Sequence, residues 1–129
     1  MPSQKEIFIE EMKRRTKGFF IASIHVAAKL PENRVGWIMK DQFLRSAGSV
    51  GANYRAVCRA RSDKEFFAKL SIVVEELDES LYWLETMVES DTVPREHIVK
   101  LYKEGNELLS ILSKARKSAS EKIKNSKNG

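Results

Sequence analysis

Apolar side chains recur at intervals of three and four residues along almost the whole chain, in four stretches that short polar breaks separate. This spacing is the period of one buried face of an α-helix, whereas a half-buried strand would alternate polar and apolar residues. Neither such an alternation nor an internal repeat occurs in the 129 residues. The pattern predicts an all-α fold with helices at about residues 4–29, 35–60, 63–90 and 94–123, and a fraying polar tail at residues 124–129.

Helix-breaking and helix-capping residues fall at the ends of these stretches. Pro31 and Pro94 lie where the apolar pattern stops, so they separate helices and do not interrupt them. Ser62 and Glu65 form a capping-box pattern, in which each side chain accepts a hydrogen bond from a free backbone N–H. Pro94 also suits the first position of the fourth helix, because its missing N–H would have no helical partner there.

The lengths of the helices and of their connections predict the architecture. Helices of about 25 residues are each about 37 Å long at a rise of about 1.5 Å per residue. Connections of a few residues place consecutive helices side by side and antiparallel. The sequence therefore predicts one domain over residues 1–129, an antiparallel up-down-up-down four-helix bundle.

Cysteine content and hydropathy restrict the class of protein. Cys58 is the only cysteine, so no internal disulfide forms and nothing requires an oxidising compartment. The N-terminal residues lack a signal-peptide pattern, and charged residues interrupt every apolar stretch before it reaches spanning length. These features predict a cytoplasmic protein with no membrane partner.

Positive charge is concentrated in particular helices. The formal net charge is +5, yet residues 62–91 carry two basic and nine acidic side chains, so the other helices are strongly basic. In an up-down bundle, cations of the first, second and fourth helices converge at one end. They are Lys13, Arg14, Arg15, Lys17, Arg55, Arg59, Arg61, Lys114, Arg116, Lys117, Lys122, Lys124 and Lys127. We predict a surface that binds nucleic-acid phosphates without reading sequence. The alternative is solvated lysines that compensate helix dipoles.

Small residues are concentrated in the middle of the second helix. Gly48 and Gly51 each cost a helix roughly 1 kcal/mol relative to alanine, so their presence among serines and alanines requires a reason. The reason we infer is the close approach of another helix. Two interpretations remain open, a crossing inside the bundle and a contact between subunits.

A polar row follows the same helix. Arg45, Ser49 and Asn53 recur every four residues and so lie on one side of it. Because the chain reverses just after this helix, we expect Arg45 to lie at the same height along the bundle axis as Asp78 and Glu79. We interpret these five residues as a structural polar network with a buried, satisfied ion pair at Arg45.

Tyr82 and Trp83 lie beside the apolar seam of the third helix. A helix in a bundle cannot bury every large side chain around its circumference, and large aromatic residues are enriched at interfaces. We predict that these two residues lie in an oligomer interface. A broad intramolecular core is the alternative.

No residue pattern indicates catalysis or a cofactor. Cys58 has no histidine in helical register to act as a base, and Gly48 and Gly51 lie inside a helix, unlike the glycines of a phosphate loop. The acidic residues lack the Glu-x-x-His pairs of di-iron bundles. His25 and His97 lie near the same end of the bundle, which leaves a chance metal pair as an alternative. We expect no enzyme activity, no cofactor and no metal.

One central segment resembles a known family. Residues 42–55, QFLRSAGSVGANYR, followed by RARS at 59–62, Glu65-Phe66 and LYWLE at 81–85, resemble the four-helix-bundle proteins encoded in intervening sequences of bacterial 23S ribosomal RNA. Ala56 stands where that family usually has glutamate, and Glu75 where lysine is common. An ion pair between helices at those two positions is therefore not implied for this chain.

The resemblance implies a small bundle that assembles as a homopentamer. Relatives serve as accessory proteins to the reverse transcriptase of diversity-generating retroelements, and most members have no established activity. Together with the basic clusters, it predicts a non-catalytic oligomeric accessory protein that binds RNA or DNA and assists a reverse transcriptase or an rRNA-associated element. The alternatives are a protein-interaction scaffold with no affinity for nucleic acid and a metal-dependent enzyme.

Overall fold

The computed structural model describes residues 1–128, which form four α-helices joined by short connections. The helices are α1 Gln4–Ala27, α2 Arg34–Val57, α3 Asp63–Glu89 and α4 Val99–Asn128, with a 3₁₀ turn, Arg95–His97, before α4. No strand occurs among residues 1–128, so the predicted all-α four-helix bundle is confirmed.

Side-chain caps set the starts of the first three helices. Each cap accepts a hydrogen bond from the backbone N–H three residues later, and the caps are Ser3, Asn33 and Ser62. The Ser62 half of the predicted capping box is therefore present, with a distance of 3.1 Å from Ser62 Oγ to the Glu65 backbone nitrogen. The Glu65 carboxylate makes an ion pair with Lys69 Nζ at 2.9 Å.

The predicted start of the fourth helix at Pro94 was wrong, because α4 begins at Val99. Asp91 has a positive φ of 56°, which reverses the chain after α3. The side chains of Val93 and Ile98 are then both buried, so the chain between them folds over the end of the bundle before α4 starts.

The predicted end of the fourth helix at residue 123 was also wrong, whereas the predicted fraying of residues 124–129 stays a prediction. α4 continues to Asn128, and Gly129 lies outside the described residues. Residues 106–128 contain no proline or glycine to end the helix. Lys122 Nζ lies 3.4 Å from Asp63 Oδ1, which joins this last part of α4 to the start of α3.

The core is built from the predicted apolar stripes. On α2 it contains Phe43, Ala47, Val50, Tyr54 and Val57, each at most 4% exposed. Phe8, which was predicted on the buried face of α1, is 39% exposed because the buried part of α1 begins at Met12. Charged residues occupy the outer faces, and no helix within residues 1–128 is long and apolar enough to cross a bilayer.

Consecutive helices pack as antiparallel neighbours, and α1 packs against α4 much less extensively. The Tyr102 hydroxyl donates to Glu85 Oε2 at 2.9 Å, and Arg116 Nε donates to Ser71 Oγ at 2.7 Å. Residue numbers therefore increase along α4 in the direction in which they decrease along α3, so the two helices are antiparallel. The outer side of α1 and α2 is the surface on which most of the basic residues described below lie.

Candidate nucleic-acid interface

Two glycines bring α1 and α2 close together. A Cβ atom added to Gly51 would lie 3.4 Å from the backbone of Thr16 and Lys17, and one added to Gly48 would lie 3.1 Å from the Phe20 ring. The small residues of α2 therefore form a crossing inside the bundle. A side chain at Gly48 would press on the Phe20 ring, whereas a Cβ at Gly51 would be in van der Waals contact with the α1 backbone.

The outer side of this crossing is a cationic groove of about 570 Å³. It is lined by Glu10, Lys13, Arg14, Lys17, Phe20, Gly48, Gly51, Ala52 and Arg55. Its one carboxylate, Glu10, lies 3.3 Å from Lys13 Nζ. The small residues of α2 form its floor and the cations form its rim, so positive charge exceeds negative charge throughout the groove.

A second groove of about 510 Å³ lies between α2 and α3. It is lined by Ala52, Arg55, Ala56, Arg59, Arg61, Glu65 and Lys69. Ala52 and Arg55 belong to both grooves, so the two are continuous over the outer surface of α2. We call this continuous surface the cationic track; its cations are Lys13, Arg14, Lys17, Arg55, Arg59, Arg61 and Lys69. The Lys69 ammonium lowers the pKa of Glu65, which keeps that carboxylate ionised.

Arg15, one of the predicted cations, faces away from the track. Its guanidinium donates two hydrogen bonds to Glu104, at 2.7 and 3.0 Å, and lies 3.1 Å from Glu107 Oε1. The hydrogen bond with Glu104 is the largest of the effects that raise the pKa of Arg15, and its side chain is only 14% exposed. Arg15 therefore joins α1 to α4, and its prediction as a phosphate ligand is not supported by this geometry.

The predicted cations of α4 are also not part of the track. The Arg116 guanidinium lies 4.6 Å from the centre of the Phe67 ring and donates to Ser71, so it packs on α3. Lys122 pairs with Asp63. Lys114, Lys117, Lys124 and Lys127 are exposed and lie outside the lining of both grooves. The structure thus brings together Lys13, Arg14 and Lys17 of α1 with Arg55 of α2 and the two arginines of the α2–α3 connection, and it adds Lys69, which sequence reasoning missed.

The polar row on α2 differs from its prediction in two respects. Arg45 bonds Glu79 and, at 3.0 Å, Glu76, whereas Asp78 lies on another side of α3 and takes no part. The Arg45 side chain is 50% exposed, so the predicted buried ion pair was wrong. Glu79 and then Glu76 raise the pKa of Arg45. The counting of residues across the α2–α3 connection thus identified Glu79 correctly as a partner of Arg45, but it named Asp78 where the structure has Glu76.

The remaining members of the row form local hydrogen bonds. Asn53 Nδ2 donates to the backbone oxygen of Ser49 at 2.9 Å, within α2. The hydroxyls of Ser46 and Ser80 lie 3.0 Å apart in the buried α2–α3 interface, where neither had been predicted. The Ser46–Ser80 hydrogen bond therefore serves the packing of α2 against α3, whereas the Asn53–Ser49 bond is local to α2.

The two aromatic residues of α3 have different environments. Trp83 is half-buried against the core, and its Nε1 donates to Glu79 Oε2 at 3.3 Å. Tyr82 is 58% exposed and meets the Trp83 ring edge to face, with 5.1 Å between ring centres. Of the two predicted interface residues, only Tyr82 offers its ring to a partner.

Sequence reasoning missed an apolar patch on the outer side of α1 and α2. It consists of Ile21, Ile24, Trp37 and Ile38, which are 45–56% exposed. Ile21 and Ile24 follow Lys17 by four and seven residues, and Trp37 precedes Gly48 by eleven, so they share the side of the helices that carries the track. These large apolar residues lie outside the predicted buried seams, and that position is the sequence signal that could have identified the patch.

The other chemically reactive side chains do not gather at the track. Burial and the neighbouring Cys58 thiol raise the pKa of Tyr54. Among residues 1–128, no group of three or more His, Cys, Asp and Glu side chains is placed to hold a metal ion. The lining of the track contains no histidine, cysteine, serine or threonine. The functional groups that the track presents to a ligand are its cationic side chains.

Comparison with known proteins places these observations in a family. The model of the 23S rRNA-intervening sequence protein family matches residues 11–121, a range that contains the seven cations of the track, the patch and most of all four helices. A solved structure of a protein with unknown function from the S23 ribosomal protein family of Bacteroides thetaiotaomicron VPI-5482 is 28% identical, with a TM-score of 0.76. The similarity covers 82% of this chain and 98% of that chain. No curated protein matches the chain.

Proposed function

Because the chain belongs to the 23S rRNA-intervening sequence protein family, we propose that it is a non-catalytic, oligomeric accessory protein that binds nucleic acid through the cationic track. The observation that carries this proposal is the convergence of seven cationic side chains, from α1, α2, α3 and the α2–α3 connection, on two continuous grooves. The family resemblance suggests the machinery it assists, a reverse transcriptase or an rRNA-associated element. The cytoplasm is the compartment we propose, since the lone cysteine needs no oxidising environment.

Binding at the track is a consequence of charge. Lysine and arginine that neutralise phosphates release condensed counterions, so affinity falls as salt rises. If all seven cations contact phosphates, the plot of log affinity against log salt has a slope of about −5 to −6. Contacts of this kind position a backbone and carry little sequence information. We therefore propose binding to RNA and DNA without sequence preference.

The absence of catalysis is part of the proposal. The two carboxylates in the lining, Glu10 and Glu65, are both paired with lysines, and the other lining residues are cationic or apolar. General acid–base or nucleophilic chemistry requires a group that can exchange a proton or attack near neutral pH. The lining supplies no such group.

The experiment is a binding titration with a charge-reversed variant. Lys13→Glu, Arg14→Glu and Lys17→Glu together should weaken binding to a 30-nucleotide RNA or DNA by on the order of 100-fold at low salt and reduce the salt slope by about 2–3. The control carries Lys5→Glu, Lys29→Glu and Lys100→Glu, which changes net charge equally at exposed positions outside the track. Equal losses in both variants, or no binding by the unaltered protein, would refute the proposal.

Self-association is supported by the apolar patch. Monomeric proteins rarely expose several neighbouring large apolar side chains, and such surfaces usually mark interaction sites. The patch exposes four large apolar side chains, and Tyr82 exposes an aromatic ring on α3. We propose that a second copy of this chain covers the patch, with the homopentamer implied by the resemblance as the assembly. Native mass spectrometry at low protein concentration tests the subunit number directly.

The competing function is a protein-interaction scaffold with no affinity for nucleic acid. The apolar patch favours it as much as it favours self-association within an accessory protein. The two functions differ in one result: the scaffold assembles but leaves RNA and DNA mobility unchanged at low salt. The titration above therefore separates them.

A further inference from the structure

The two halves of the cationic track lie on different sides of one helix. Lys13, Arg14 and Lys17 line the groove on the α1 side of α2, and Arg59, Arg61 and Lys69 line the groove on the α3 side. Arg55 stands between the halves and belongs to both. The track therefore passes over the convex outer surface of α2, from one interhelical groove into the next.

A ligand that contacts all seven cations has to bend over α2. Helices that pack together have axes about 8–10 Å apart, so the path from α1 over α2 to α3 is about 16–20 Å long. DNA duplexes resist bending over such a distance, since their persistence length is about 150 base pairs. A straight duplex placed on this convex surface contacts only the outermost part of α2 and one of the two grooves. A single strand has no such stiffness and can enter both grooves.

An aromatic ring lies in the first groove. Phe20 is half-buried at the lining, and its ring edge rests on Gly48, where a side chain of any other residue would press on the ring. Unpaired bases stack on aromatic side chains, whereas the paired bases of a duplex are already stacked on one another. Phe20 therefore adds an interaction that only a single strand can use.

From these observations we propose that the ligand class of the track is single-stranded nucleic acid, which passes over α2 and occupies both grooves, with a base against Phe20. This inference rests on the proposed function and specifies its ligand. The chemistry of the track does not depend on the 2′-hydroxyl, so single-stranded RNA and single-stranded DNA are both ligands.

The slope of log affinity against log salt reports how many phosphates of each ligand contact cations of the track. With all seven cations engaged, a single strand gives a slope of about −5, at about 0.7 per phosphate. A duplex confined to the four cations of one groove gives a slope of about −3.6, at about 0.9 per phosphate. The single strand should thus show the steeper salt dependence although its charge density is lower.

The test uses the full chain with three labelled probes, a 20-nucleotide oligo(U), a 20-nucleotide oligo(dT) and a 20-base-pair DNA duplex, in anisotropy titrations at several salt concentrations. Two variants remove one groove each: Lys13→Glu with Lys17→Glu, and Arg59→Glu with Arg61→Glu. We expect each variant to weaken single-strand binding at least about tenfold, and only one of them to weaken duplex binding comparably. Phe20→Leu should weaken single-strand binding about 5- to 100-fold and leave duplex binding unchanged.

Each result has a defined meaning. Because Phe20 also packs against the core, a thermal melt of Phe20→Leu accompanies the titration, and unchanged duplex affinity serves as the control for folding. Equal slopes and equal losses for single strand and duplex would overturn this inference while the proposed function stands. No binding to any probe would overturn both. A change in subunit number caused by either variant without nucleic acid would assign the track to a subunit interface and overturn the inference.

Discussion

The outer side of α1 and α2 has two halves with the same backbone geometry and opposite surface chemistry. Towards the C-terminal end of α2 it carries Lys13, Arg14, Lys17 and Arg55, and towards the α1–α2 connection it carries the apolar patch. Exposed cations favour water and polyanions, whereas exposed large apolar side chains favour burial against another protein surface. Under the proposed function, one helix pair serves an assembly and a ligand at once, because the two halves differ only in their solvent-facing residues.

The apolar half should respond most strongly to an introduced charge. Ile24→Glu with Trp37→Glu is expected to weaken self-association by on the order of 100-fold or more, because an unpaired carboxylate buried in an interface costs several kcal/mol. The folded monomer should keep its stability, since both side chains are about half exposed. Sedimentation velocity and a urea titration measure the two quantities. Unchanged subunit number in this variant would remove the apolar half from the assembly.

The neighbouring residues Arg14 and Arg15 separate the role of the cationic half from that of a structural ion pair. Arg15→Ala should lower the free energy of unfolding by about 1–3 kcal/mol, because the Glu104 carboxylate loses its charged partner. Arg14→Ala should leave stability within about 0.5 kcal/mol and reduce the salt slope of nucleic-acid binding by about 0.7–0.9. Each variant is the control for the other, measured by urea denaturation and by binding. If both variants weaken nucleic-acid binding equally, the two arginines share one surface. The assignment of Arg15 to a purely structural ion pair is then incorrect.

Tyr54 lies under the cationic half and provides a smaller, pH-dependent effect. Burial raises its pKa above the value of about 10 that it has in the unfolded chain. Its contribution to stability is therefore complete below about pH 10 and is lost as pH rises through the folded pKa. The unaltered protein should lose stability between pH 9 and 11 more steeply than Tyr54→Phe, as urea midpoints would record. Parallel losses in the two proteins would mean that Tyr54 ionises freely when folded.

The fold was largely predictable because the apolar period alone places the buried faces. The seam of Phe43, Ala47 and Val50 is fully buried, as its spacing indicated. The α3–α4 connection was not predictable from Pro94, because the position of α4 depends on the burial of Val93 and Ile98 over the end of the bundle. That burial is a tertiary effect without a local sequence signal.

The candidate site was predictable only in part. Residue numbers alone place Arg14 and Arg15 about 100° apart on α1, so one helix-wheel argument could have separated them. The attachment of Arg116 to Phe67 and the inclusion of Lys69 depend on how α3 and α4 pack. Counting charges by helix could not tell that Arg15 is held by carboxylates of α4 and that Arg116 packs on α3.

The most direct test of the central claim is lysine footprinting, in which amine labelling is read by mass spectrometry with and without a bound oligonucleotide. We expect Lys13, Lys17 and Lys69 to become protected, whereas Lys29 and Lys100, exposed and outside the track, should label equally in both states. Protection confined to Lys114, Lys117 and Lys124, with Lys13 and Lys17 unchanged, would place the binding surface on α4 and contradict binding at the cationic track.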